Sequence, residues 1–341
     1  MQNKPKEIAA VLGGGSFGTA MATILAENGH EARLWVRDAE TAAAINEDSE
    51  NAKYLPGSIL PSGVRANDDL IATLKGATLI FVAVPSRAFI EVLAKAKDYV
   101  PEGTIVVSCT KGIAADSFKL MSQVLMQQWP QARVGVLSGP NLAKEIVDKS
   151  FTGTVIASED DELCKRIQVA LSCDYFRVYQ SSDMYGVELG GALKNIYAIA
   201  TGMAAALGVG DNTRGLLITR SLAEMSRYAA HLGGDPMSFL GLAGVGDLIV
   251  TCSSPLSRNY QVGYQVGKGL SVEEAVANLG QTAEGINTVK LIAERASQLD
   301  IYMPICTGLY NILFAGKPRD EVIASLMQGE HSYDVEFTMG L

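Results

Sequence analysis

Between a short apolar run, residues 6–12, and a helical stretch, residues 19–28, the chain carries Gly13-Gly14-Gly15-Ser16-Phe17-Gly18. No other feature restricts the fold as much. The spacing G-x-G-x-x-G is used where a strand feeds a tight turn that opens directly into a helix. Gly13 allows the turn, Gly15 lets the backbone approach a pyrophosphate, and Gly18 permits close helix packing. The helix start then offers free N–H groups and a positive dipole end to phosphates. A dinucleotide is the implied ligand, and a glycine-rich turn with no ligand is the alternative.

The next strand, residues 32–36, ends at Arg37. A carboxylate at this place suits a ribose 2′-hydroxyl, whereas an arginine suits a 2′-phosphate. Arg37 therefore points to NADP(H), and the adjacent Asp38 keeps NAD(H) open. Further buried strands are expected at residues 77–84, 104–109 and 134–137. Residues at the carboxyl ends of such strands face the ligand crevice. That rule places Lys111, from Thr110-Lys111-Gly112, near an anionic or polar group, unless it is an ordinary loop lysine. Ser138-Gly139-Pro140-Asn141 turns sharply into a helix at residues 142–147. Residues 152–157, the helix 160–171 and residues 175–178 read as further elements closing the sheet domain. Repeated strand, glycine turn and helix argue for an α/β, Rossmann-like, doubly wound sheet over residues 1–183.

With 341 residues the chain exceeds the usual size of one core, so a second domain is expected. From residue 184 to 341 the strand signals fade, and an all-α domain is expected from stretches at 185–207, 213–232, 272–279, 284–299 and 320–327. Residues 189–210 form a long apolar run whose one charge is Lys194. A buried ammonium needs a partner or a lowered pKa, which makes Lys194 a candidate for chemistry. A lysine at the rim of the helix, reaching water along its stem, is the alternative. Gly190 and Gly191 share its side of the helix and suggest clearance for a ligand.

Asp247 is the one charge between Asp235 and Arg258. It reads as a cap for a helix starting at Leu248, or as the group that orients Lys194. Ser257 reads as the N-cap of a helix running to Gly267, which puts Arg258 and Asn259 in its first turn. An arginine there opposes the helix dipole, and a bound phosphate would resolve the conflict; a surface arginine is the alternative. Thr282 and Glu284 precede another helix, where Glu284 could be a favourable first-turn carboxylate.

A net charge of −9 opposes nonspecific binding to nucleic acid and to anionic lipid. No apolar run approaches the roughly 20 residues of a spanning helix, so no membrane insertion is expected. The run after Lys4 and Lys6 stops at the glycines and does not read as a targeting segment. Five cysteines form no CxxC pair. A metal site and a disulfide framework are therefore not expected, and a reducing cytoplasm is. The three histidines, His30, His231 and His331, follow no active-site pattern.

Taken together, GGGSFGTAMA, VAVPS, CTKGI, SGPNLAKEI, ELGGALKNIYAIATG, ITRSLAEM, GLAGVGDLIVTCSSPLSRNYQVG and AEGINT resemble the bacterial-type NAD(P)-dependent glycerol-3-phosphate dehydrogenases, in that family's order. The resemblance implies reversible reduction of dihydroxyacetone phosphate, a phosphorylated triose, in glycerophospholipid synthesis. It implies Lys194 as acid/base, supported by Asp247, with Lys111, Gly139, Ser257, Arg258 and Asn259 at the substrate. Asn141 is a further substrate candidate, although the family more often has a small hydroxyl residue there. Cofactor contacts fall on Ser16, Phe17, Arg37, Lys111, Ala143, Arg258, Thr282 and Glu284, beside Gly13, Gly15 and Gly18. Phe17 stands where the family often has Trp, and residues 203–206 lack its acidic-glycine pair. A homodimer through the helical domain is also expected. A β-hydroxyacid or keto-acid reductase and a noncatalytic NAD(P)-binding sensor are the rival readings.

Overall fold

The computed structural model describes residues 6–115, 117–280 and 283–328. Eight strands form one sheet: β1 (Ile8–Leu12), β2 (Glu31–Trp35), β3 (Val64–Asn67), β4 (Leu79–Val82), β5 (Ile105–Ser108), β6 (Arg133–Ser138), β7 (Thr152–Ala157) and β8 (Phe176–Ser181). Their spatial order is β3-β2-β1-β4-β5-β6-β7-β8. The chain thus winds outward from β1 in one direction and from β4 in the other. The place where the winding reverses, between β1 and β4, is where open α/β sheets bind ligands. All pairs are parallel except β6 with β7, which is antiparallel. The doubly wound sheet expected from the sequence is present, with β7 reversed at that pair.

Seven helices accompany these strands: α1 (Ser16–Glu27), α2 (Ala39–Asp48), α3 (Leu70–Leu74), α4 (Ser86–Ala96), α5 (Met121–Gln128), α6 (Ala143–Val147) and α7 (Asp161–Leu171). The strand sequences explain the sandwich. Leu79-Ile80-Phe81-Val82 is buried throughout, and its side chains alternate between two cores. Ala9, Val11, Leu79 and Phe81 share one core with Met21, Ile24 and Leu25 of α1 and with Leu163 and Ile167 of α7. Ala10, Leu12, Ile80 and Val82 share the other with Phe89 and Leu93 of α4 and Met121 and Leu125 of α5. A sheet covered on both faces needs such unbroken apolar strands.

Eight further helices follow: α8 (Met184–Ala206), α9 (Asp211–His231), α10 (Asp247–Ser253), α11 (Arg258–Gly267), α12 (Val272–Leu279), α13 (Glu284–Gln298), α14 (Pro304–Leu313) and α15 (Arg319–Met327). The chain divides into two compact units, Met1–Glu188 and Leu189–Leu341, so the division falls inside α8. The sequence placed it five residues earlier, at the strand-to-helix change after residue 183. Among the described residues no helix is long and apolar enough to cross a membrane.

Glu188, at the end of the first unit, is 2% exposed and accepts from Ser122 N at 3.0 Å and from the Ser122 hydroxyl. Burial pushes its carboxyl up to about 7, against the pull of the Ser122 hydroxyl and N–H. The unfolded carboxyl titrates near 4.5. The folded state therefore holds more protons between those values, and its stability falls as pH rises through the interval. Glu188→Gln keeps the shape and removes the charge. Its melting temperature is expected to fall less than the wild type's between pH 5 and pH 8 at constant ionic strength, by scanning calorimetry.

Candidate active site

The glycine loop joins β1 to α1. Gly13 has φ of +117°, and a Cβ on it would lie 2.7 Å from the Ala83 carbonyl oxygen beyond β4. A Cβ on Gly18 would lie 2.0 Å from the Gly13 carbonyl oxygen, so α1 starts hard against the turn. Gly15 differs: a Cβ there would meet nothing within 4 Å. The loop is closed toward the protein at Gly13 and Gly18 and open at Gly15, a cradle that suits a pyrophosphate. The helix begins at Ser16, three residues before the expected start, so the N–H groups of its first turn belong to the loop itself. The Ser16 hydroxyl donates to the Tyr54 carbonyl at 2.9 Å, and Phe17 packs on the core.

At the end of β2, Arg37 is exposed. Asp38 caps α2, accepting from Thr41 N at 2.9 Å and from the Thr41 hydroxyl. The Thr41 hydroxyl, and then its N–H, holds the Asp38 carboxyl below the usual range. At the sheet's other half, Lys111 Nζ donates to the Gly139 carbonyl at 3.0 Å, which joins the segments after β5 and β6. Gly139 has φ of +149°, with Thr154 Cα 3.1 Å from a Cβ placed there. Asn141 Nδ2 donates to Thr154 Oγ1 at 2.8 Å, while its Oδ1 is buried without a hydrogen-bond partner. Ala143 opens α6 and packs on the core.

In the helical unit, Lys194 lies on α8 and is 6% exposed. Its Nζ donates to Asp247 Oδ1 and, at 2.5 Å, to Thr251 Oγ1. Asp247 is 1% exposed and is the first residue of α10, whose N-cap is Gly246. A π-helical turn, Leu242–Gly246, runs straight into α10, and the carboxylate meets Lys194. Thr251 follows one helical turn later and also donates to Asp247 at 3.3 Å. Sequence reasoning gave Thr251 no role, although i,i+4 spacing from Asp247 was the available signal. Gly190 serves this arrangement differently from the clearance expected of it. A Cβ there would sit 3.0 Å from the Ala243 carbonyl oxygen, so the glycine admits the π-helical turn.

Ser257 caps α11 through Tyr260 N at 3.3 Å, and Arg258 is exposed at the helix's first position. Asn259 is turned away from this end. Its Nδ2 donates to Asn195 Oδ1 at 2.8 Å, and its Oδ1 accepts from Gly285 N at 3.0 Å. Both ends of the amide are used inside the protein, which ties α8, α11 and α13 together. Glu284 opens α13, and Thr282 and His331 lie outside the described residues. Two groupings emerge, each within its own unit: the glycine loop with Arg37, Lys111 and Gly139, and the Lys194, Asp247 and Thr251 cluster with the α11 start. His30 is buried in the first unit, held by Glu7 N at 3.2 Å and the Ala170 carbonyl at 3.2 Å. Among the described residues no group of His, Cys, Asp and Glu is placed to hold a metal.

Comparison with known proteins adds to this geometry. Residues 8–164 match a family model described as the N-terminus of NAD-dependent glycerol-3-phosphate dehydrogenase, and residues 183–324 match the corresponding C-terminus. A protein of Alcanivorax borkumensis named glycerol-3-phosphate dehydrogenase [NAD(P)+] is 64% identical over 98% of both chains. A solved glycerol-3-phosphate dehydrogenase of Coxiella burnetii superposes with a TM-score of 0.91 at 37% identity, covering 95% of this chain and 99% of that one. A ketopantoate reductase of Ralstonia eutropha shares the fold, at a TM-score of 0.57 and 16% identity over 92% of this chain and 99% of that one.

Proposed function

The chain belongs to the NAD-dependent glycerol-3-phosphate dehydrogenase family, and from that premise we propose that it reversibly reduces dihydroxyacetone phosphate to glycerol 3-phosphate with NAD(P)H. The observation that carries the reading is the enclosed contact of Lys194, the one charged residue between 189 and 206 of its helix, with Asp247 and Thr251. The nicotinamide, when bound, supplies the hydride. Lys194 supplies the proton. As an ammonium it stabilises the alkoxide oxygen forming at C2 and then donates to it; in the reverse direction the amine takes the proton back.

Asp247 balances the ammonium's charge, and Thr251 fixes the position of Nζ, so the side chain is oriented before the reaction begins. Ser257, Arg258 and the first-turn N–H groups of α11 hold the substrate phosphate, which relieves the conflict between Arg258 and the helix dipole. Asn259 contributes through the backbone and through the tie it makes to Asn195, since its amide is already committed. In the first unit Lys111, Gly139 and Asn141 are the residues offered to substrate, and the buried Asn141 Oδ1 is free to accept from a hydroxyl.

Gly13, Gly15, Ser16, Phe17 and Gly18 hold the dinucleotide, with Ala143 and Lys111 of the same unit as further contacts. Arg37 accepts the 2′-phosphate of NADP(H). Asp38 is engaged as a helix cap, which removes the carboxylate that would otherwise favour the 2′-hydroxyl of NAD(H). The five cysteines are all free thiols, which supports a cytoplasmic setting. A homodimer through the helical unit is part of the same proposal.

An NADPH-oxidation assay tests the reading. Turnover is expected with dihydroxyacetone phosphate; turnover only with 2-keto acids would assign the chain to the keto-acid reductases. Arg37→Ala is expected to lower kcat/KM for NADPH about tenfold or more and to leave that for NADH within about twofold, because only one of them carries the phosphate.

A further inference from the structure

The segment after α2 takes no part in the chemistry above, yet it presses a buried polar side chain against the glycine loop. Asn51 is 1% exposed. Its Nδ2 donates to the Gly14 carbonyl at 2.9 Å and to Thr19 Oγ1 at 2.8 Å. Its own carbonyl accepts from Tyr54 N at 3.1 Å and Leu55 N at 2.8 Å, which closes a turn. The Tyr54 carbonyl presented by that turn receives the Ser16 hydroxyl. The turn therefore grips the loop and the first residues of α1 at Gly14, Ser16 and Thr19.

The other end of the Asn51 amide shows what the contact achieves. Its Oδ1 is buried without a hydrogen-bond partner, a state that carries a desolvation penalty. A residue kept in that state makes its contribution through the donor end, and both donor bonds go to the loop and α1. Three consecutive glycines have wide backbone freedom. Left unbraced, Gly13-Gly14-Gly15 would populate conformations whose N–H groups do not converge, and apparent affinity falls by the fraction of loops in the competent one.

We infer that Asn51 is a positioning residue that preorganises the glycine loop for the pyrophosphate of the dinucleotide. The inference rests on the reading of that loop as the dinucleotide cradle. It differs from the part assigned to Arg37, because the pyrophosphate is common to NADPH, NADH and ADP-ribose.

The test is calorimetric titration of the full chain with each of these three ligands. Asn51→Ala is expected to weaken all three about tenfold, with kcat at saturating NADPH within about twofold of wild type. Asn51→Asp preserves the volume but sets a carboxylate against the Gly14 carbonyl; it is expected to weaken them at least as much, and it carries the measurement if the alanine variant does not fold. A purely structural Asn51 would lower the melting temperature and leave the three Kd values unchanged, which overturns the inference. Gly15→Ala separates this failure from failure of the underlying reading. Gly15 has φ of −73° and open space beside it, so alanine fits the fold while its methyl intrudes on the cradle. If Gly15→Ala weakens binding and the Asn51 variants do not, the inference falls and the cradle stands. If none of them does, the cradle itself is wrong and the inference goes with it.

Discussion

Lys194→Ala is expected to reduce kcat for dihydroxyacetone phosphate by about four orders of magnitude while the Kd for NADPH stays within about twofold. Loss of a positioned proton donor accounts for about 10²–10⁴ of this. Loss of the positive charge facing the developing alkoxide accounts for a further part, of the size seen when one oxyanion donor is removed, about 10² or more. The two effects overlap because one ammonium provides both, so their product is an upper bound. The substitution also removes the ammonium beside the Asp247 carboxylate, which is 1% exposed. Breaking such a pair from one side costs about 3–5 kcal/mol of stability. Replacing both Lys194 and Asp247 by alanine is expected to recover much of that stability and none of the activity, as thermal melts alongside steady-state rates would show.

The second large effect is expected at Asp247. Asp247→Ala removes the anion beside a lysine that is only 6% exposed, and it should lower kcat by about 10²–10³ and stability by about 3 kcal/mol. Asp247→Asn retains an acceptor for Nζ and for the Thr251 hydroxyl, so geometry survives and charge does not. Its kcat is expected to fall about 10–100-fold. A variant pair with equal losses would mean that Asp247 acts through its charge alone. The ordering Ala below Asn below wild type, measured as kcat at saturating substrate, supports a combined electrostatic and positioning part.

Where the sequence was readable, the signal was local. The glycine loop, the buried strand Leu79–Val82 and the Ser257 cap each depend on residues a few positions apart, and each is found where the sequence put it within a few residues. What stayed hidden depended on distant partners. Strand β3, Val-Arg-Ala-Asn, has little strand character of its own and is a strand because it pairs with β2. The reversal of β7 against β6 leaves no trace in a period-2 pattern, which marks faces and not direction. Helix α14 went unread although Pro304 stands at its first position, a recognised start signal.

The same division runs through the site. Asp247 reads locally as a helix cap and as the group that orients Lys194, and its contact with distant α8 carries the second reading. Asn259 stands beside Ser257 and Arg258 in sequence, yet its amide faces Asn195 and Gly285. Asn51 sits in a turn with no chemical signature, and its contacts with Gly14 and Thr19 span 37 and 32 residues of chain. Such long-range polar contacts are set by tertiary packing, which a reading of neighbouring residues does not reach.

The central claim is that the Lys194 amine itself moves the proton. Its most direct test is the rate of NADPH oxidation by Lys194→Ala on dihydroxyacetone phosphate as ethylammonium is added at constant ionic strength. The expected rate climbs with amine concentration and saturates as the vacated space fills, with no such response in the wild type. A rate that stays flat from zero to saturating amine would contradict the claim.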